Sequence, residues 1–231
     1  MDRDYLKPGT EIKLENDTFE IVKSIGEGAN CVVYEVIKKK NDYEYKYYLK
    51  ECYPFNADIS RNDDGSLIWL NEGEKEKSLA NFKNAYSTLL KIYNNEYFTN
   101  STSIPVEIYE ANDTIYILND IKIGSTFKDD NTENLSDILA TIIALSKLIG
   151  KYHEEGYLHL DIKPENMFLL EETRELVVLF DVDSVVAIDL LKNGEVEGGL
   201  GSNGYAAREQ NRPNISEIRL PGCYKEFCGK S

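Results

Sequence analysis

The sequence predicts an α+β fold, and three patterns predict it. Strand-like runs separated by turn residues fill the first third of the chain: Thr18–Ile25 alternates polar and apolar residues, Cys31–Ile37 is rich in Val, Tyr and Ile, and Glu44–Glu51 follows them. Two long segments, Glu74–Tyr93 and Leu135–Glu154, carry apolar residues at helical spacing. A polar loop near residue 160 is followed by the apolar runs Met167–Leu170 and Leu176–Phe180, which read as strands. A length of 231 residues fits one domain or a two-lobed unit, and a hydrophobic content of 42% is enough for a core.

The N-terminal pattern has an order that matters. Gly26-Glu27-Gly28-Ala29-Asn30-Cys31-Val32-Val33 lies between the first two strands, so a Gly-x-Gly turn joins strand to strand. Glycines at those offsets let backbone N–H groups approach an anion where a Cβ would intrude. A dinucleotide-binding turn would instead open a helix. Pro54–Leu70 is polar and turn-rich, through Arg61-Asn62-Asp63-Asp64-Gly65, and reads as an inserted loop or hairpin.

Glu74–Tyr93 presents Leu79, Phe82, Tyr86, Leu89, Leu90 and Tyr93 near one helical face. Val106–Ala111 and Thr114–Leu118 read as strands joined by the turn Asn112-Asp113. Leu135–Glu154 reads as a core helix with Leu135, Ile138, Leu139, Ile142, Ile143, Leu145, Leu148, Ile149 and Tyr152 as its apolar set, ended by Gly156.

Composition excludes several classes. A formal net charge of -15, from 26 basic and 41 acidic side chains, argues against nucleic acid or an anionic membrane as the main partner. Cys31, Cys52, Cys223 and Cys228 are too few and too irregularly spaced for a disulfide framework, and Cys223 and Cys228 have no second pair to complete a zinc site. They read as reduced thiols. No apolar run follows Met1 and none approaches membrane-spanning length, so the expectation is a soluble cytoplasmic protein. No internal repeat or low-complexity tract is present.

The chemistry is concentrated in His159-Leu160-Asp161-Ile162-Lys163-Pro164-Glu165-Asn166 and in Phe180-Asp181-Val182-Asp183. Two carboxylates, a lysine and an asparagine at short fixed offsets suit phosphoryl transfer. One carboxylate orients a hydroxyl, the lysine neutralises phosphate charge, and Asn with the second carboxylate holds divalent metal.

These motifs, in this order, resemble the glycine-rich loop, strand lysine, catalytic loop and metal-binding Asp of eukaryotic-like, bacterial-type serine/threonine protein kinases. The resemblance implies a two-lobed fold: an N-lobe with an antiparallel sheet and one helix over residues 1–122, and a mostly helical, incomplete C-lobe over 123–231. It implies ATP and Mg2+ as cofactors. It gives Gly26, Gly28, Val33 and Lys50 to nucleotide binding, with the backbone of Asp120 and Lys122 at an adenine-binding hinge. Asp161 and Lys163 become catalytic, and Asn166 and Asp181 the metal ligands. Lys163, two residues after Asp161, is the serine/threonine style of this loop, so a protein hydroxyl is the implied acceptor. His159 would pack and hydrogen-bond rather than act as a base. Ser184–Leu200 would be the activation loop, with Ser202 contacting Asp161 and Lys163.

Several positions depart from the pattern. Cys31 replaces the third glycine, Tyr48 stands where a small Ala lies beneath adenine, Leu160 replaces an Arg, and Asp183 replaces a Gly. Ala85 occupies the place of the helix glutamate that pairs with the strand lysine, leaving Glu72, Glu74 and Glu76 as candidates. The chain stops where the family would begin its central C-lobe helix, so a fragment completed by a further C-terminal region or a partner is expected, with apolar surface exposed. The reading is a serine/threonine kinase domain; the alternative is a kinase-like module, weak or inactive, that binds nucleotide or a partner.

Overall fold

The computed structural model describes residues 3–40, 43–93, 106–120, 124–126, 134–170, 176–179, 184–193, 196, 201–207 and 210. The chain divides into two compact units, Met1–Ile121 and Lys122–Ser231.

The first unit is built on a six-stranded antiparallel sheet. Its strands are β1 (Glu11–Leu14), β2 (Asp17–Glu27), β3 (Cys31–Lys40), β4 (Tyr43–Cys52), β7 (Val106–Ala111) and β8 (Thr114–Asp120), in the order β1-β2-β3-β4-β8-β7. The short hairpin β5 (Ile59–Arg61) and β6 (Leu67–Trp69) forms its own two-stranded sheet, and α1 spans Glu72–Tyr93. The turn between β7 and β8 holds Asn112 and Asp113 at φ 52 and 57, the left-handed geometry that suits the right-handed twist of a hairpin. The hairpin expected within Pro54–Leu70 is therefore β5–β6. It closes through Asp64, which accepts from the backbone and hydroxyl of Ser66, and through Gly65 at φ 90.

Alternation along the strands assigns the two faces of this sheet. Val32, Tyr34, Val36, Leu49, Tyr116 and Leu118 share one buried face, covered by Leu6 of the N-terminal segment, Tyr53 just after β4 and Leu67 of the inserted hairpin. The sequence did not mark this cover as core: Leu6 stands among charged residues near the N-terminus, and Leu67 lies in the segment read as an inserted loop or hairpin. On the opposite face Lys50 meets Tyr86 of α1, whose Phe82 and Tyr86 are both buried. Asn71 starts α1, its Oδ1 accepting the Glu74 N–H at 3.0 Å.

In the second unit α2 covers Leu135–Glu154, the bounds its apolar spacing predicts. Asn134 caps it by accepting from the Ser136 N–H, and Gly156 at φ 81 ends it. One expectation is corrected here. The buried residues of α2 include Thr141, Ala144, Leu148 and Tyr152, whereas Leu135, Leu139, Ile142 and Ile143 are exposed. The helix is apolar over more of its circumference than this unit covers, so periodicity alone overestimates its core face.

Around α2 lie β9 (Gly124–Thr126), β10 (Tyr157–His159), β11 (Met167–Leu170), β12 (Leu176–Leu179), β13 (Val185–Ala187) and α3 (Ile188–Lys192). β9, β11 and β12 form a three-stranded sheet, and β10 pairs antiparallel with β13. The segment Ser184–Leu200, expected as a loop, thus contains a strand and a helical turn; Ile188 and Leu191 bury against Leu158. Among the described residues no helix is long and apolar enough to cross a membrane.

Candidate active site

In the first unit the strand register places several sequence-predicted residues on one line. Gly26 pairs with Val33, Val33 with Lys50, and Lys50 with Ile117, a row across β2, β3, β4 and β8. Directly opposed residues share a face, so Val33 and Lys50 project to the same side, and Tyr48, two residues before Lys50, projects with them. The turn is closed by Gly28 N–H donating to Cys31 C=O at 2.9 Å. A Cβ at Gly26 would meet nothing within 4 Å, so the turn leaves open space beside its first glycine. Cys31 and Cys52 lie opposite each other in register, and both are buried.

Lys50 Nζ lies 5.5 Å from the centre of the Tyr86 ring, within the range of a cation–π contact. Tyr86, an aromatic beside Ala85, is thus an α1 residue that faces this lysine. Of the three glutamates considered, Glu72 pairs with Lys75 at 3.6 Å.

The next residue along β4 points the other way into a buried network that the sequence did not flag. Glu51 is fully buried. Arg61 reaches it with both terminal nitrogens, 2.9 Å to Oε1 and 2.6 Å to Oε2, while the Tyr116 and Tyr34 hydroxyls donate to Oε1 and Oε2 at 2.9 and 3.0 Å. Burial foremost, with the adjacent carboxylate, pushes both phenols well above the ordinary tyrosine range. The only sequence signal was a charged residue in a strand, which equally describes a solvated one.

The second unit assembles the loop from His159 to Asn166. β10 delivers His159, a 3-10 turn over Pro164–Asn166 folds the chain back, and Asn166 N–H donates to Lys163 C=O at 2.9 Å. Proline at the first position of that turn fixes φ and loses no needed donor. Asp161, Asn166 and His159 are all buried.

Lys163 Nζ lies 2.8 Å from Asp161 Oδ2 and donates to Ser202 Oγ at 2.5 Å. Asn166 Nδ2 is 2.9 Å from both Oδ2 and the backbone oxygen of Asp161. The second carboxylate oxygen, Oδ1, is buried with no hydrogen-bond partner among the described residues. A carboxylate oriented through one oxygen and left with the other in hand is arranged to accept a proton. Burial works to raise the Asp161 carboxyl, but hydrogen bonding from Lys163 foremost, with Ser202 and Asn166, outweighs it and holds the group below the usual carboxylate range.

His159 is structural in this arrangement. Its Nδ1 accepts the Asp161 N–H at 3.3 Å, and its ring stands edge-on to Tyr152 at 5.7 Å. The segment after residue 200 is fastened to the same loop by Gln210. Its Nε2 donates to Leu160 C=O at 2.7 Å and its Oε1 accepts the Ala207 N–H at 2.8 Å. Gly201 makes that close approach at φ 97, where an added Cβ would fall 2.8 Å from Leu160 O. Neither residue carried a local signal, because their partners lie far away in sequence.

The structure thus brings Asp161, Lys163, Asn166 and Ser202 together, and separately aligns Gly26, Val33 and Lys50. Asp181, Lys122 and the Asp120 side chain lie outside the described residues. Asn166 and the orphaned Asp161 oxygen are donors of the oxygen type that Mg2+ takes; among the described residues no cluster of three or more His, Cys, Asp or Glu could hold a metal.

No family model matches the chain. It is 28% identical over 202 residues to serine/threonine-protein kinase D of Synechocystis, covering 84% of this chain and 36% of that protein. It is 22% identical over 212 residues to a probable serine/threonine-protein kinase of Clostridium perfringens, covering 90% of this chain and 27% of that one. Among solved structures, the apo form of PpkA-294 matches with a TM-score of 0.56 and 27% identity, over 78% of this chain and 62% of that one. The chain spans well under half the length of the curated relatives it matches.

Proposed function

We propose, for a chain that is a distant and partial relative of serine/threonine kinase domains, that it transfers the γ-phosphoryl group of Mg-ATP to a protein hydroxyl. The observation that carries this reading is the Asp161 carboxylate, oriented through Oδ2 by Lys163 and Asn166 with Oδ1 unspent.

Asp161 Oδ1 orients the acceptor hydroxyl and takes its proton. Lys163, held by Ser202, places a positive charge beside the transferring group. Asn166, with Asp181, would hold the metal, and Lys50 and the Gly26–Gly28 turn the phosphates, with the backbone of Asp120 and Lys122 against adenine. Bound Mg2+ supplies charge neutralisation across the phosphate oxygens. Because the relatives are much longer than this chain, substrate and partner surfaces supplied by a further region belong to the same proposal.

A second reading rests on the contact between Lys50 and Tyr86. A kinase-like module that binds nucleotide without turning it over needs no carboxylate on α1 to hold this lysine. Phosphotransfer to a protein substrate from labelled ATP, measured for the wild type and Asp161→Asn, separates the two. Transfer abolished by the substitution with nucleotide affinity kept supports the enzyme. Transfer unchanged by it sinks the mechanism, and nucleotide binding with no transfer in the wild type supports the module.

A further inference from the structure

The N-terminal segment has no part in the mechanism above, yet it is fastened to the glycine-rich turn. Arg3 has a side chain only 3% exposed. A buried guanidinium is unfavourable unless its N–H groups are used; here both terminal nitrogens are used, while Nε is buried with no partner among the described residues. Nη2 donates to Gly28 O at 2.9 Å and Ala29 O at 2.8 Å. Nη1 donates to Glu27 Oε2 at 3.1 Å and stands 3.5 Å from Cys31 O. The guanidinium carbon lies 5.4 and 5.9 Å from the ring centres of Phe55 and Tyr53. Tyr5 adds a second donor to the same Glu27 oxygen.

The segment that carries Arg3 is held in register from the other side. Arg61 Nε donates to Asp4 O at 2.7 Å, Leu6 N–H donates to the Tyr34 hydroxyl at 3.2 Å, and Asp4 N–H lies 3.4 Å from the Tyr53 hydroxyl. A chain of contacts therefore runs from buried Glu51 through Arg61 and the Asp4 carbonyl to Arg3 and the turn.

The geometry points to a role for this clasp. The C=O and N–H of a trans peptide are antiparallel, and none of the described peptides is cis. Carbonyls of Gly28 and Ala29 drawn toward Arg3 therefore turn the amides of Ala29 and Asn30 away from it. Phe55 N–H, donating to Ala29 O at 2.8 Å, reinforces the same sense. Successive amides facing one side make an oxyanion cradle.

We infer that Arg3 is a positioning residue, an N-terminal clasp that presets the amides of the glycine-rich turn toward the phosphate chain of a nucleoside triphosphate. The identity of that anion rests on the nucleotide-binding reading given above. The clasp supplies by fixed hydrogen bonds the shape that a turn with Cys31 in its last position does not obtain from glycine.

The test compares wild type, Arg3→Gln and Arg3→Lys by hydrogen exchange over residues 26–31, Mg-ATP calorimetry and thermal melting. Arg3→Gln is expected to raise exchange in the turn, leave exchange in α1 unchanged, and weaken Mg-ATP binding by about tenfold, as loss of charge-assisted hydrogen bonds implies. Arg3→Lys keeps the charge without the fork and should fall between. Unchanged exchange in the turn overturns the clasp. Faster exchange with unaltered Mg-ATP affinity overturns its positioning role. A wild type that binds no Mg-ATP counts against the nucleotide reading instead, and the exchange data then decide the clasp alone. Should Arg3→Gln fail to fold, Arg3→Lys and Tyr5→Phe carry the same comparison.

Discussion

Lys163 holds Asp161 by its Oδ2 oxygen at 2.8 Å while donating to Ser202. That relationship sets the pH behaviour of the carboxylate. Its folded-state pKa is lowered, so its contribution to stability is present above the unfolded value and lost as pH falls through the folded one. Phosphotransfer by the wild type should therefore persist down to the ordinary carboxylate range and fall only below it. Lys163→Ala removes the main lowering influence, and the acid limb of the rate profile should move to higher pH. A limb that stays in place would show that Lys163 does not tune Asp161.

Lys50 gives a test that separates binding from folding. Its contact with Tyr86 stabilises by about 0.5–1 kcal/mol; Lys50→Ala should markedly weaken Mg-ATP binding in calorimetry, with the urea midpoint measured beside it to separate that loss from unfolding. Asp181→Asn should remove the magnesium dependence of that binding. Equal affinity with and without the lysine would take Lys50 out of the nucleotide site.

Glu51 and Arg61 form a buried pair with every Glu51 oxygen satisfied. Arg61→Met leaves the carboxylate without its cation and should cost about 3–5 kcal/mol in chemical denaturation. The double substitution Glu51→Leu with Arg61→Met should recover part of that loss, since no charge is then left buried. A double variant less stable than the single one would mean that the network specifies the fold rather than merely satisfying itself.

Gly201→Ala combines a left-handed φ of 97 with a Cβ 2.8 Å from the Leu160 carbonyl oxygen. The strain alone costs on the order of 1–2 kcal/mol, and relief requires the segment to withdraw from the loop that carries Leu160 and Asp161. The expected outcome is a lower phosphotransfer rate with Mg-ATP affinity retained. An unchanged rate would show that the docking of Gly201 and Gln210 does not support Asp161.

The sequence by itself determined most of the elements and the grouping of Asp161, Lys163 and Asn166. Period-two alternation gave β2, Val, Tyr and Ile content gave β3, the Asn112-Asp113 pair gave the β7–β8 turn, and helical spacing ended by Gly156 gave α2. These signals are local, because hydrogen bonding within a turn or along a strand is read from neighbouring residues. Lys163 and Asn166 lie close enough to Asp161 in sequence for their grouping to be legible too.

Tertiary structure decided the rest. Arg61 meets Glu51 across the inserted hairpin, Gln210 reaches back to Leu160, Arg3 closes on Gly28 and Ala29, and Tyr86 stands at Lys50. A lone arginine, glutamine or tyrosine looks the same in sequence whether solvated or buried. Only the chain's return path supplies the partner that makes burying a polar group favourable. The face of α2 that stays exposed was set in the same way, because apolar spacing records what a helix could bury and packing decides what it does.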